Sequence, residues 1–291
     1  MYFVKKLYLP ETLPEALKIL KEHPETTILA GGTDVLVKMR HKRMRDVTLL
    51  SLAKLPLSGV EDKGDEIVIG PGTTFTALAE NPVMQTRLPM LCTAARSMGG
   101  PQIQNVATIG GNVCNGATSA DSAPSLFALD AVLTLTSAGG DRRVPIREFY
   151  TGPGRVKLES GEMLTAIHIP AGEQARWGGV YIKFSTRKAM DIAILGSAAV
   201  CELGEDGRVK KAAIAMGVAA PTPVRCTEAE ALLTGKTPTA ELLQEAGRLA
   251  LAACSPRSSW RATKEYREAL IQELSVRAFR EAYRLAGGKA L

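Results

Sequence analysis

The stretch ATIGGNVCNGATSADSAP, residues 107 to 124, is built almost wholly of small residues. It holds one acid, Asp121, no histidine, and one cysteine, Cys114, with no second cysteine nearby. Side chains of this kind supply no paired acid and base and no activated nucleophile. The chemistry left to them is that of the backbone. Two segments share one design. ILAGGTD (28 to 34) and TIGGN (108 to 112) each read as an apolar strand running into a Gly-Gly turn. Glycine admits positive φ and leaves no Cβ in the way of a ligand. Successive backbone N–H groups in such a turn make an anion nest. Two nests suit the two phosphates of a dinucleotide, held from different sides, with Asp121 accepting from its hydroxyls or ring N–H groups. One Gly-Gly pair alone is no more than a turn. The repetition of strand, glycine pair and polar cap is what points to binding.

Other site chemistries are excluded by residues that are missing. GNVCNGAT (111 to 118) has the glycine spacing of a P-loop, but Ala117 stands where its lysine must be. No GxGxxG follows a strand, so the Rossmann fingerprint is absent. His23, His41 and His168 have no metal-ligand spacing, and no CxxC occurs among Cys92, Cys114, Cys201, Cys226 and Cys254. An odd number of scattered cysteines reads as reduced thiols in a cytoplasmic protein. MYFVKKLYLPETL has neither a long apolar core nor a small-residue cleavage site, so no secretory leader is expected. No run reaches the roughly 20 apolar residues of a membrane span. The net charge of +6 is mild, and aromatics are 5% of the chain, with no basic-aromatic stripe for nucleic acid.

The elements that must position these turns alternate along the chain. Thr12 to Glu15 reads as a capping box opening a helix with Leu13, Ala16, Leu17 and Leu20 on one face. TTILAGG is a short strand, TDVLVKMR a helix with Thr33 or Asp34 at its N-cap, and DVTLLSL the next strand. EIVIG, AVLTLTSAGG and EMLTAIHIP are further strands; TFTALAE and LPMLCTAARSMGG are helices, the second closed by glycine. After about residue 172 the composition changes. GGVYIKFS, ILGSAAVCEL and KKAAIAMGVA read as antiparallel strands, followed by three helices, the last from about Trp260 to Ala286. The fold class is therefore α+β, an N-terminal α/β part followed by a small antiparallel sheet with helices.

LAGGTD, with PQIQNVATIGGNVCNGATSADSAP further along, resembles the FAD-binding medium subunit of the molybdenum hydroxylases, and within that family most resembles the separate FAD subunit of the bacterial xanthine dehydrogenases. FYTGPGRV, VAAPTPVRC and SPRSSWRATKEYR extend the resemblance over nearly the whole chain. It implies the two-lobed FAD-binding fold of the vanillyl-alcohol oxidase type over 1–172 (lobes about 1–56 and 57–172) and a C-terminal domain over 173–291. It implies that Leu29, Ala30, Gly31, Gly32, Thr33, Asp34, Val35 and Leu36 form one pyrophosphate segment and Thr108, Ile109, Gly110, Gly111 and Asn112 the other. Thr118 and Asp121 would be further FAD contacts, Leu164 an apolar neighbour of the flavin, and Lys183 a lysine near it. Met98 stands where animal members have an aromatic on the flavin, and Met190 where they have an acid beside the nicotinamide path. The implied activity is electron transfer, with no catalytic side chain beyond the flavin. Electrons arrive from [2Fe-2S] clusters in a small subunit, fed by a molybdopterin large subunit, and leave to NAD+ or another acceptor. A dimer of heterotrimers acting on purines is the leading expectation. Related hydroxylases of nicotinate, carbon monoxide or aldehydes, and a flavin-free assembly scaffold, are the alternatives. A self-contained flavin oxidase is disfavoured, because no cluster of catalytic side chains follows residue 172. The thioester-reducing branch is disfavoured as well, because its extra cysteine-rich loop is absent.

Some residues have a bland reading beside the functional one. Lys183 could merely snorkel at a strand edge. Asp121 could be an N-cap for SAPSLFALD. The basic run 38–45 reads first as a solvated loop, and second as a dock for an acidic partner subunit or a cofactor phosphate. Trp260 and Tyr266, near a helix start, are expected in the core.

Overall fold

Alternation along the chain sorts it into three main sheets, each backed by helices. The structure, a computed structural model, describes residues 3–171 and 176–289. The first sheet is built from β1 (Val4–Tyr8), α1 (Leu13–Glu22), β2 (Thr27–Leu29), α2 (Val35–Arg40) and β3 (Val47–Ser51). Its strands run parallel in the order β1-β3-β2. Parallel neighbours need a crossover, and α1 and α2 supply it. α1 buries Ala16, Leu17 and Leu20 against Leu50 and Leu55, as its spacing predicts. The capping box is displaced by one residue. Thr12 Oγ1 accepts from the Glu15 amide, but the Glu15 carboxylate accepts from Glu11, not from Thr12.

The second sheet and its helices comprise β4 (Val60–Asp62), β5 (Glu66–Ile69), α3 (Phe75–Glu80), α4 (Pro82–Arg87), α5 (Pro89–Ser97), α6 (Pro101–Gln104), α7 (Ile109–Cys114), α8 (Ser122–Ala128), β6 (Val132–Ser137), β7 (Gly140–Pro145), α9 (Ile146–Phe149), β8 (Tyr150–Gly152), β9 (Arg155–Val156) and β10 (Met163–Pro170). Five of these strands form an antiparallel sheet in the order β4-β5-β10-β6-β7. β8 and β9 pair separately.

The third part holds β11 (Trp177–Phe184), β12 (Leu195–Leu203), β13 (Val209–Gly217), β14 (Val224–Arg225), α10 (Thr227–Leu233), α11 (Ala240–Ala252) and α12 (Lys264–Leu285). Its sheet is antiparallel in sequence order, as expected. β12 and β13 explain how this sheet is fixed to the rest. Their side chains alternate between faces. Ala198, Val200, Ala213 and Ala215 join the core of the second sheet, where α5 and α8 pack. Ala199, Cys201, Ala212 and Ile214 join a separate core under α12. Burial on both faces is why ILGSAAVCEL is rich in small and apolar residues on both alternating sets of positions. The change expected near residue 172 lies in 172–175, outside the described residues.

Two expectations fail here. TIGGN is not a strand entering a turn. Thr108 is an N-cap whose Oγ1 accepts from the Gly111 amide, and both glycines lie inside α7. Local capping outweighs the poor helix propensity of glycine. Trp260 and Tyr266 are not core residues. α12 starts only at Lys264, capped by Thr263, which leaves Trp260 in the preceding loop at 85% exposure and Tyr266 at 48%.

Candidate functional site: a cleft between two sheets

The turn after β2 is pressed against the second sheet's helices. A Cβ on Gly31 would stand 1.7 Å from the Val106 carbonyl oxygen, so only glycine lets the two backbones approach. Gly32 follows at φ +73, a conformation that side chains disfavour. The amides of residues 30 to 34 donate to no other protein group among the described residues. A row of free N–H groups on a glycine turn is a place for an anion. The turn faces α7: a Cβ on Gly111 would lie 3.8 Å from Ala30 Cβ.

In the second glycine segment the amides from Ile109 to Asn112 are engaged. Ile109 donates to Thr73, Gly110 to Pro71, Gly111 to Thr108 Oγ1 and Asn112 to the Thr108 carbonyl. Gly110 is glycine because its Cβ would meet Pro71 at 2.4 Å. This segment is a close-packed wall, not a second nest.

Turn and wall border a cavity of about 550 Å³. Ala30, Gly31, Gly32, Thr33, Asp34, Val35, Met98, Thr108, Gly110, Gly111, Asn112 and Leu164 line it. Leu29, Leu36, Ile109, Thr118, Asp121 and Lys183 do not. Ile109 is wholly buried in the core, and Leu36 leans on Gly32 from the outer side. Asp34 takes the N-cap position of α2, without a side-chain bond to the helix.

Asp121 and Lys183 lie together beneath this cavity. Lys183 Nζ is 2.8 Å from Asp121 Oδ2 and also donates to the Ser97 carbonyl, next to Met98 on the lining. Tyr181 donates to the other carboxylate oxygen at 2.9 Å. The lysine does not snorkel, since its side chain is 9% exposed. Asp121 caps nothing with its side chain. Burial raises the Asp121 carboxyl above its ordinary range, against the pull of Lys183 and Tyr181. Cys114, also on the lining, has its thiol pushed up by burial to about 12, which disfavours the thiolate.

Two lining features escaped sequence reading. Thr26 Oγ1 is buried without a partner. The segment 158–163, leading to Leu164, also lines the cavity. Lys38, from the basic run that sequence offered to a cofactor phosphate, does line the cavity and donates to Asn115 at the end of α7 at 2.9 Å. Tyr181, below the cavity, was legible in principle, because a strand puts residues i and i+2 on one face, as Tyr181 and Lys183 are. The free amides, the glycine turn that a Cβ would obstruct and the orphaned Thr26 hydroxyl all fit a large phosphate-bearing cofactor.

A cleft between two α/β parts, lined by backbone rather than by reactive side chains, defines a nucleotide-cofactor protein. Residues 3–172 match the FAD-binding domain of molybdopterin dehydrogenases, and residues 180–282 the C-terminal domain of the carbon monoxide dehydrogenase flavoprotein. The chain belongs to this family, and is an FAD-binding oxidoreductase subunit of the molybdenum hydroxylases. It is 45% identical to the putative xanthine dehydrogenase FAD-binding subunit XdhB of Escherichia coli K12, over 96% of each chain. It is 32% identical to the carbon monoxide dehydrogenase medium chain of Hydrogenophaga pseudoflava, over 94% of this chain and 95% of the relative. A solved carbon monoxide dehydrogenase from H. pseudoflava superposes with TM-score 0.93 at 31% identity, covering 98% of both chains. The vanillyl-alcohol-oxidase-like lobes and the small antiparallel sheet expected from sequence accord with that likeness.

Proposed function

We propose that this chain is the electron-transferring FAD subunit of a purine-oxidising molybdenum hydroxylase. The reading rests above all on one observation: a row of acceptor-free amides on the Gly31–Gly32 turn, facing α7 across the cavity. The relative at 45% identity supports a xanthine dehydrogenase over the nicotinate, carbon monoxide and aldehyde alternatives, whose relatives are at 32% or below. When bound, FAD accepts electrons singly and releases them as a hydride. The protein's part is to bind and orient. The amides of residues 30–34 hold the pyrophosphate, and Gly110 and Gly111 let the α7 wall come close. Met98 and Leu164 form the apolar bed for the ring system. The Lys183–Asp121–Tyr181 cluster fixes the floor under Met98. Thr118 is left as a contact at the far end of α7.

In this reading residues 1–172 form the FAD domain, with lobes meeting near residue 56, and 173–291 the second domain. Electrons come from [2Fe-2S] clusters of a small subunit, supplied by a molybdopterin large subunit, and leave to NAD+. The assembly is a dimer of heterotrimers in the cytoplasm. The five free cysteines support a reducing compartment. No described helix is long and apolar enough to cross a membrane. The test is co-expression with the two partner subunits and an assay of xanthine oxidation coupled to NADH formation. Turnover only with all three chains supports the reading. Xanthine oxidation by the other two chains alone, with the same NADH yield, contradicts it.

A further inference from the structure

The loop between α11 and α12 carries positive charge that the chain does not neutralise. Arg267, in the first turn of α12, is 3% exposed. Its guanidinium donates to the Ile194 carbonyl and to Ser259 Oγ, and its Nε has no partner. Arg261 Nε is likewise buried without an acceptor. Among the described residues, no carboxylate forms an ion pair with Arg257, Arg261 or Arg267. The charges that act on Arg267 are the other two arginines. The nearby acids are engaged elsewhere: Asp191 with Arg187, Glu268 with Lys264, and Glu265 with its own helix start.

Apolar surface surrounds these cations. Trp260 is 85% exposed, with the Arg261 guanidinium 4.2 Å from its ring centroid. Tyr266 stacks edgewise on Phe184, where β11 ends. The connection from β11 to β12 leaves beside it, and its Ile194 carbonyl is the one that Arg267 holds. Trp, Tyr and Arg set together on an exposed face are the residues that anchor protein–protein contacts. A small anion would use the arginines but would leave this apolar surface in water.

We propose that this face docks an acidic surface of a partner polypeptide. Trp260 is the anchor, and Arg257 and Arg261 pair with the partner's carboxylates. Arg267 holds the loop in place from beneath through Ser259 and Ile194. The proposal rests on the reading that the chain works in a complex. It adds which face is covered and by what chemistry.

The test uses the co-expressed complex. Three forms of the chain are compared: wild type, Trp260→Ala, and the double variant Arg257→Glu/Arg261→Glu. FAD content and melting temperature of each chain alone establish that it folds. Assembly is read by co-elution with the partners, and exposure of Trp260 by hydroxyl-radical oxidation. The expected result is that both variants keep their FAD but assemble about thirtyfold more weakly. Trp260 in the wild-type complex should be shielded from oxidation. Equal assembly of all three forms, with Trp260 oxidised as readily in the complex as alone, would overturn the docking face while leaving the subunit reading intact. Failure of the wild-type chain to retain either partner would contradict the subunit reading and this face with it.

Discussion

Gly31 is the residue on which the cleft most depends. Its missing Cβ lets the turn after β2 touch the Val106 carbonyl, and that contact aims the free amides at α7. Gly31→Val should therefore cost about 3 kcal/mol and remove most bound flavin, read as melting temperature and flavin per chain. Full flavin in a stable variant would show that the contact is dispensable. Lys183 and Asp121 lead to a second expectation. A buried pair gains little over apolar residues, but one partner left alone is costly. Lys183→Met should destabilise by about 3–5 kcal/mol. Adding Asp121→Leu should restore part of that loss, by removing the stranded carboxylate. Urea midpoints of the single and double variants decide the matter, and strict additivity would deny the coupling. At this scale the sequence was legible where a residue type permits one role. Gly32 takes the positive φ expected of it. Gly31 and Gly110 are glycine for another reason, backbone packing against Val106 and Pro71, and glycine that allows close packing looks the same in sequence as glycine that leaves room for a ligand.

Between elements, one arginine joins the third sheet to the second. Arg225, on β14, donates to the Phe127 carbonyl at 2.7 Å, to Asp130 at 2.6 Å, and through two nitrogens to Glu230 on α10. Glu230 in turn accepts from the Ile214 amide of β13. Burial acts to raise the Asp130 carboxyl, but Arg225 and Lys211 outweigh it and hold the group below its ordinary 3.8. Its stabilisation is thus complete above that value and is lost as pH falls through the lowered one. Asp130→Asn should destabilise the protein at pH 6, and the difference from wild type should shrink steadily below pH 4. Urea midpoints across that range provide the check, and a difference that grows on acidification would reverse the assignment. The strands of this region were readable from alternation and apolar runs. The clamp was not, because Asp130 and Arg225 are far apart in sequence and no local pattern joins them. The start of α12 was misplaced for a similar reason. Trp260 lies close to the helix start in sequence, but Thr263 is the cap, and the cap decides.

For the whole molecule, the cleft draws one wall from the first sheet's turn and the other from α7 and the second sheet. A ligand held by both walls binds the folded chain and not the unfolded one. Free FAD at about a thousand times its dissociation constant should add about 4 kcal/mol to stability, seen as a rise in melting temperature with FAD concentration. The measurement that bears most directly on the cleft is the flavin of the purified chain itself: its absorption spectrum, then release by heat and identification of what is released. The expected result is FAD, close to one per chain, and its loss in Gly31→Val. A wild-type chain that is colourless, and that stays so with added FAD and with its partners co-expressed, would contradict the assignment of the Gly31–Gly32 turn as a phosphate cradle.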